Sequence, residues 1–289
     1  MFRATLTNKW GHLLLLLFGV ICISWSAILV KLADVDGVSS AFYRMFFGTL
    51  GILPVWAYFY KPINDKKGVI IAIICGILFA SDIAFWNTSI LLSKASVSTL
   101  LANLAPIWVG IGAFAFHKDK PDKLFWAGTL IAITGVTIIV GINIFTEISL
   151  SKGNLLSIIA SIFYGAYILI TKYGRKGLDT FSFTSISMIS STIMLGIISL
   201  FTGAKLSGFA TDSWIYLIVL GLIPQVAGWL AINQSLGHIK PTTASVTLLS
   251  QSVFTALFAL PVLGETLSIN EAWGAVLVLA GIYLVNRSK

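Results

Sequence analysis

Charge is scarce in this chain. Asp, Glu, Lys and Arg supply 10% of its 289 residues, against about 25% in soluble domains. That scarcity excludes a water-covered globule, and the 57% of hydrophobic residues points to an integral membrane protein. Cysteine is nearly absent: Cys22 and Cys75 both lie in apolar runs, which excludes a disulfide framework and a metal-ligand spacing. The three histidines, His12, His117 and His238, fall at the edges of apolar runs. A catalytic or metal centre inside the membrane therefore lacks parts. There is no G-x-x-x-x-G-K-[ST] sequence to bind ATP, no mid-span lysine for a retinal Schiff base, and nothing that marks a channel filter. The net charge of +8 sits in short clusters between apolar runs. That is the pattern of membrane orientation rather than of nucleic acid binding.

What is present is apolar length. A helix needs about 20 apolar residues to cross roughly 30 Å of hydrocarbon. Ten segments qualify: 11–32, 38–60, 68–92, 95–116, 123–144, 153–173, 180–203, 212–236, 242–263 and 269–286. Arg3 and Lys9 precede the first run, but at about 18 residues it is long for a signal and leads to Lys31 and Asp34 without a convincing small-x-small cleavage site, so it reads as a retained first span. With the N-terminus cytoplasmic, fourteen lysines and arginines fall on the cytoplasmic side and four on the far side: Lys31, Lys94, Lys152 and Lys205. Arg44 lies within a span. The bias places both termini in the cytoplasm, and the expected location is the cytoplasmic membrane.

The chain repeats itself. Asn87-Thr88-Ser89 followed by Lys94 recurs 146 residues later as Asn233-Gln234-Ser235 followed by Lys240. At the same offset Gly128 and Gly135 fall on Gly274 and Gly281, and Asp119 falls on Glu265. Five spans per half reverse the direction of the second half. The expected fold is thus an all-α membrane protein of ten transmembrane helices, built as two inverted five-helix repeats over 1–146 and 147–289. Inverted repeats are a mark of secondary transporters.

Trp25-Ser26 with Lys31, Arg44, the stretch from Asn103 to Pro106, and the Gly128/Gly135 pair occur in order in the first half. Tyr164-Gly165 with Lys172, Gly264-Glu265, and Trp273-Gly274 with Gly281 follow in the second. In this order the chain resembles the ten-helix EamA group of the drug/metabolite transporter superfamily, over nearly its whole length. One departure is the loop after span four, which reads His117-Lys118-Asp119 where the second half has Gly-Glu. The resemblance implies transport of small metabolites, often export.

Candidate solute-binding residues cluster on spans three and eight, which are repeat mates. Asp82, Trp86 and Ser89 share one face of span three at i, i+4 and i+7, and Gln225 and Trp229 repeat the i, i+4 spacing on span eight. Asp82 is the most costly residue to place in a membrane, at roughly 2.5–3.5 kcal/mol. It has three candidate roles: pairing with a cationic solute, carrying a coupling proton, or pairing with Arg44. Arg44, beside Tyr43, either holds a solute carboxylate or snorkels to the interface. Asn103 and Gln251 lie on spans four and nine. Gln251 sits in the hydroxyl-rich run from Thr242 to Thr255, which either lines water or packs against a neighbour. Trp25 and Tyr164 are related by the repeat and close the cavity or pack as aromatics. Pro106 and Pro224 fall near mid-span and free the carbonyls of Ala102 and Leu220. Gly128, Gly135 and Gly141 read as close helix contacts.

These residues point to a secondary active transporter working by alternating access. Its solute is expected to be a small metabolite, an amino acid or an amphipathic drug, with Asp82 the candidate for proton coupling and export the direction that the resemblance implies. The expected partners are that solute, the lipid bilayer and protons, with no nucleic acid, metal or cofactor. The chain is expected to act as a monomer or a homodimer. A membrane-embedded enzyme acting on a lipid or small molecule is the alternative.

Overall fold

The computed structural model describes residues 9–92, 95–116, 120–141, 151–263 and 268–287. The sequence features at His117-Lys118-Asp119, Lys94 and Gly264-Glu265 lie outside them. The described residues form helices: α1 (Lys9–Ser24), α2 (Ser26–Ala33), α3 (Gly37–Tyr58), α4 (Lys66–Leu92), α5 (Ala95–Ala102), α6 (Ala105–Phe116) and α7 (Lys123–Val140). The second half follows with α8 (Lys152–Gly177), α9 (Thr180–Thr202), α10 (Thr211–Leu220), a π-helical segment (Gly221–Gly228), α11 (Trp229–Leu236), α12 (Pro241–Leu248), α13 (Ser250–Leu263) and α14 (Ile269–Arg287). Nine runs among them are long and apolar enough to cross a membrane. The expected fourth span is shorter, an apolar run over Leu100–Ala115.

Several spans are not single helices. The first breaks at Trp25, between α1 and α2. The fourth breaks at Asn103 and Leu104, whose backbone N–H groups reach back to Leu100 and Leu101 in tight three-residue turns. The ninth breaks at Leu249, between α12 and α13. Residues 103 and 249 are 146 apart, so repeat-mate spans break at matching positions. Pro106 is therefore not a mid-helix kink. It stands in the first turn of α6, where its missing N–H has no helical partner to lose.

Polar caps set where helices start. Asp36 accepts the N–H groups of Val38 and Ser39 at 3.0 and 2.9 Å. Asp179 accepts those of Phe181 and Ser182 at 3.0 and 3.2 Å. Ser39 and Ser182 each also donate a hydroxyl to their own cap aspartate. The two caps are 143 residues apart and use the same Asp-x-x-Ser arrangement. Gly141 ends α7 in the left-handed region (φ 69°), and among the described residues no neighbour comes within 4 Å of where its Cβ would stand. It is a helix terminator, not the close contact expected from the sequence.

The chain divides into two compact units that interleave its halves. One comprises Met1–Ala84 and Ile170–Ile239, the other Phe85–Leu169 and Lys240–Lys289. Helices α4 and α8 contribute to both.

In the first unit, α3 packs along α9. Thr49 and Thr192, also 143 apart, share a hydrogen bond of 2.8 Å, and Trp56 donates its indole N–H to Ser182 at 3.1 Å. Helix α1 meets the end of the π-helical segment at a glycine pair. A Cβ on Gly19 would stand 2.8 Å from the carbonyl of Gly228, so only hydrogen fits there. Leu29, Ala33, Leu217 and Leu220 form a small core between α2 and α10.

In the second unit, α7 and α14 cross at two glycine pairs. Gly128 meets Gly281 and Gly135 meets Gly274, each glycine against the carbonyl of the other. Exchanging the repeat mates, Gly128 for Gly274 and Gly135 for Gly281, turns one contact into the other. Phe125, Ala132, Val136, Val246, Val278 and Val285 fill the core beside this seam. The hydroxyl-rich run of span nine is buried here from Thr242 to Ser250, while Gln251, Ser252 and Thr255 are partly exposed. Ser245 and Thr247 donate to carbonyls of their own helix, those of Thr242 and Thr243, and Ser250 reaches back across the break to the carbonyl of Thr247.

Candidate solute site

The polar centre of the first unit is built on a proline. Pro224 has no N–H and its ring crowds the carbonyl four residues back. The helix around it widens to the i→i+5 pattern over Gly221–Gly228, a form that recurs at functional sites. The widened segment is held against α3 by two glycines. A Cβ on Gly48 would lie 2.8 Å from Cγ of Gln225, and one on Gly221 would lie 2.6 Å from Cβ of Phe47. Arg44 precedes Gly48 by one turn, so it shares the face that meets the segment. Its Nε donates to Oε1 of Gln225 at 2.7 Å.

Gln225 is 2% exposed, so this bond satisfies a side chain that water does not reach. Arg44 and Asp82 are each partly buried, and Arg44 is the charge that acts on Asp82. One turn before Asp82, Phe79 is buried and meets Trp229 edge to face, with ring centroids 4.6 Å apart. Arginine, carboxylate, amide and two aromatic rings thus occupy one unit. An arginine offers a planar fork to a carboxylate, and an aspartate accepts from an ammonium. Phe79 was missed in the sequence because one more apolar residue carries no signal in an apolar helix.

The other candidates are distributed around this centre or in the second unit. Tyr43 donates its hydroxyl to the carbonyl of Leu206, and its ring packs edge-on against Trp214 at 4.9 Å. Trp25 packs on the same small core of α2 and α10 as Tyr43. In the second unit, Trp86 stands one turn beyond Asp82 on α4, and its buried indole N–H has no hydrogen-bond partner among the described residues. Asn103 sits at the break between α5 and α6, and Gln251 in the first turn of α13 after the matching break. Tyr164 lies on α8 beside Gly165, which packs against Trp108.

The repeated Asn-x-Ser motif is an anchoring device. Asn233 donates to Thr184 at 3.2 Å, Gln234 accepts from Arg175 at 3.1 Å, and Ser235 donates to the carbonyl of His12 at 2.9 Å. In the second unit Ser89 accepts from Ser157 at 2.8 Å. Ser235 thus ties span eight to span one, and Ser89 ties span three to span six, as repeat mates do. Arg175, read from the sequence only as an orienting charge, also donates to the carbonyls of Asn233 and Leu178 and to Thr180. It binds the ends of α8, α9 and α11 together. His12 stacks on His238 at 4.1 Å between ring centroids. Cys22 and Cys75 are free and buried, as core residues are.

The EamA-like transporter family model matches the chain twice, over residues 9–141 and 151–287. A transporter of Archaeoglobus fulgidus described as uncharacterized is 24% identical over 98% of this chain and 99% of its own length. The Bacillus subtilis uncharacterized transporter YdfC is 22% identical over 84% of this chain and 79% of its own. A solved crystal structure with 12% identity superposes with a TM-score of 0.83 over 96% of both chains, which is a likeness of fold. The helices, the doubled match and these relatives give one conclusion: the chain is a multi-pass membrane transporter and belongs to the EamA-like transporter family.

Proposed function

We propose that this transporter is a secondary carrier that exports a small zwitterionic solute, such as an amino acid, across the cytoplasmic membrane by alternating access. The observation that carries the reading is the Arg44–Gln225 bond on the π-helical segment, with Asp82 under the charge of Arg44. Arg44 takes the solute carboxylate, Asp82 takes its ammonium, and Phe79 and Trp229 supply an aromatic wall. Protonation of Asp82 releases the ammonium and couples transport to a proton gradient.

The two halves, 1–146 and 147–289, act as inverted repeats, with both termini cytoplasmic. The matching caps at Asp36 and Asp179, the matching breaks at 103 and 249, and the self-exchanging glycine seam support this reading. Broken helices beside a central site are the usual construction of such carriers.

A flux screen in proteoliposomes tests the proposal, comparing zwitterionic amino acids, simple amines and simple carboxylates with and without a pH gradient. Saturable zwitterion flux that accelerates with the gradient is expected. Flux indifferent to the gradient removes the proton from the mechanism. Saturable flux of amines or carboxylates alone overturns the zwitterionic solute class.

A further inference from the structure

A cavity lies in the second unit, at the end of α7 and the start of α14, with a volume of about 1030 Å³. Its wall runs along α7 from Leu130 to Gly141 and is mostly apolar, with Thr134 and Thr137 among leucine, isoleucines and valine. Eleven residues of helix rise roughly 16 Å, close to the depth of one leaflet of a bilayer about 30 Å thick. Its lip is polar, made of Ser268, Asn270 and Glu271. Trp273, 64% exposed, lines the same cavity beside the lip, and tryptophan is a residue enriched where membranes meet water. Glu271 is the single charged residue among the described lining residues.

We propose that this cavity binds one membrane lipid whose headgroup ends in a primary ammonium, of the phosphatidylethanolamine class. The acyl chain lies along the Leu130–Ile138 face, and the ammonium donates to Glu271 and to the oxygens of Asn270 and Ser268. The carboxylate disfavours an anionic lipid of the phosphatidylglycerol class. A choline headgroup has no N–H to donate. The wall, one leaflet deep, selects an anchored lipid over a soluble amine.

Glu271 also has a local duty. It accepts the backbone N–H of Ser268 at 2.7 Å, while Ser268 Oγ accepts the N–H of Glu271 at 3.2 Å. This is a capping box, which glutamine serves as well as glutamate. Glu271→Gln therefore removes the charge and keeps the helix start.

The test is native mass spectrometry of the full chain, delipidated in detergent and titrated with phosphatidylethanolamine, phosphatidylcholine or phosphatidylglycerol of matched acyl chains. The wild type is expected to hold one phosphatidylethanolamine about tenfold more tightly than either other lipid, as a charge-assisted hydrogen bond allows. Glu271→Gln is expected to erase that preference while its elution and Tm stay those of the wild type. Trp273→Ala, which leaves the charge in place, is expected to keep the preference. Free ethanolamine is expected not to displace the lipid. Equal binding of the three lipids, an unchanged preference in Glu271→Gln, or displacement by free ethanolamine overturns the proposal.

Discussion

Both compact units use glycine contacts and hydrogen bonds between helices, but in different proportion at their main seams. In the first, helix contacts carry hydrogen bonds: Thr49 to Thr192, Trp56 to Ser182, Asn233 to Thr184 and Arg44 to Gln225. In the second, the α7–α14 seam is carried by glycines against carbonyls, with valines and Phe125 packed beside it. Lipid offers no hydrophobic drive between helices, so both solutions rest on close packing or hydrogen bonding. The difference teaches where adaptable chemistry is concentrated. A glycine seam has one good fit and no group to offer a solute. The polar unit has groups that can exchange partners, and among them are Arg44 and Asp82.

The comparison breaks most sharply at Arg44. Arg44→Gln keeps a donor for Gln225 and removes the charge that faces Asp82. Solute flux in proteoliposomes is expected to fall about a hundredfold, or ~2.7 kcal/mol, with elution from a sizing column unchanged. In the second unit the same measurement should show the reverse. Gly135→Val places a side chain where even a Cβ would stand 2.5 Å from the carbonyl of Gly274. A loss of about 1–3 kcal/mol is expected from overpacking, read as a lower Tm, with flux per folded molecule little changed.

Smaller effects sharpen the repeat. Asp36→Ala and Asp179→Ala remove matching caps and are each expected to cost about 1 kcal/mol. Unequal losses would argue that the two halves do not bear load alike. Thr49→Val removes one hydrogen bond in the membrane and is expected to cost about 0.6 kcal/mol. A thermal denaturation series in one detergent resolves all three.

Much of this architecture was legible in the sequence, because apolar runs bounded by charge have few other meanings. The offset of 146 that aligned Gly128 and Gly135 with Gly274 and Gly281 also named the glycines that meet. Arg44, Asp82, Gln225 and Trp229 stood out because polar and indole groups are conspicuous in such runs. What stayed hidden depends on geometry that residue types do not carry. Pro224 announces a lost hydrogen bond, but not that the helix widens to turn Gln225 toward Arg44. Pro106 looked like a kink because the break before it has no marker of its own. Arg175 looked like a loop charge, since its acceptors come from helix ends distant in sequence. The Asp-x-x-Ser caps at Asp36 and Asp179 were readable as a second repeat signal, but their offset of 143 falls outside the ungapped match.

The central claim is that Asp82 and Arg44 hold the solute, and Asp82→Asn tests it most directly. The measurement is zwitterion flux in proteoliposomes by the wild type and this variant, each with and without a pH gradient. The account expects the variant to fold, to lose most of its flux, and to lose all acceleration by the gradient. Wild-type flux and acceleration in a folded Asp82→Asn protein would contradict it.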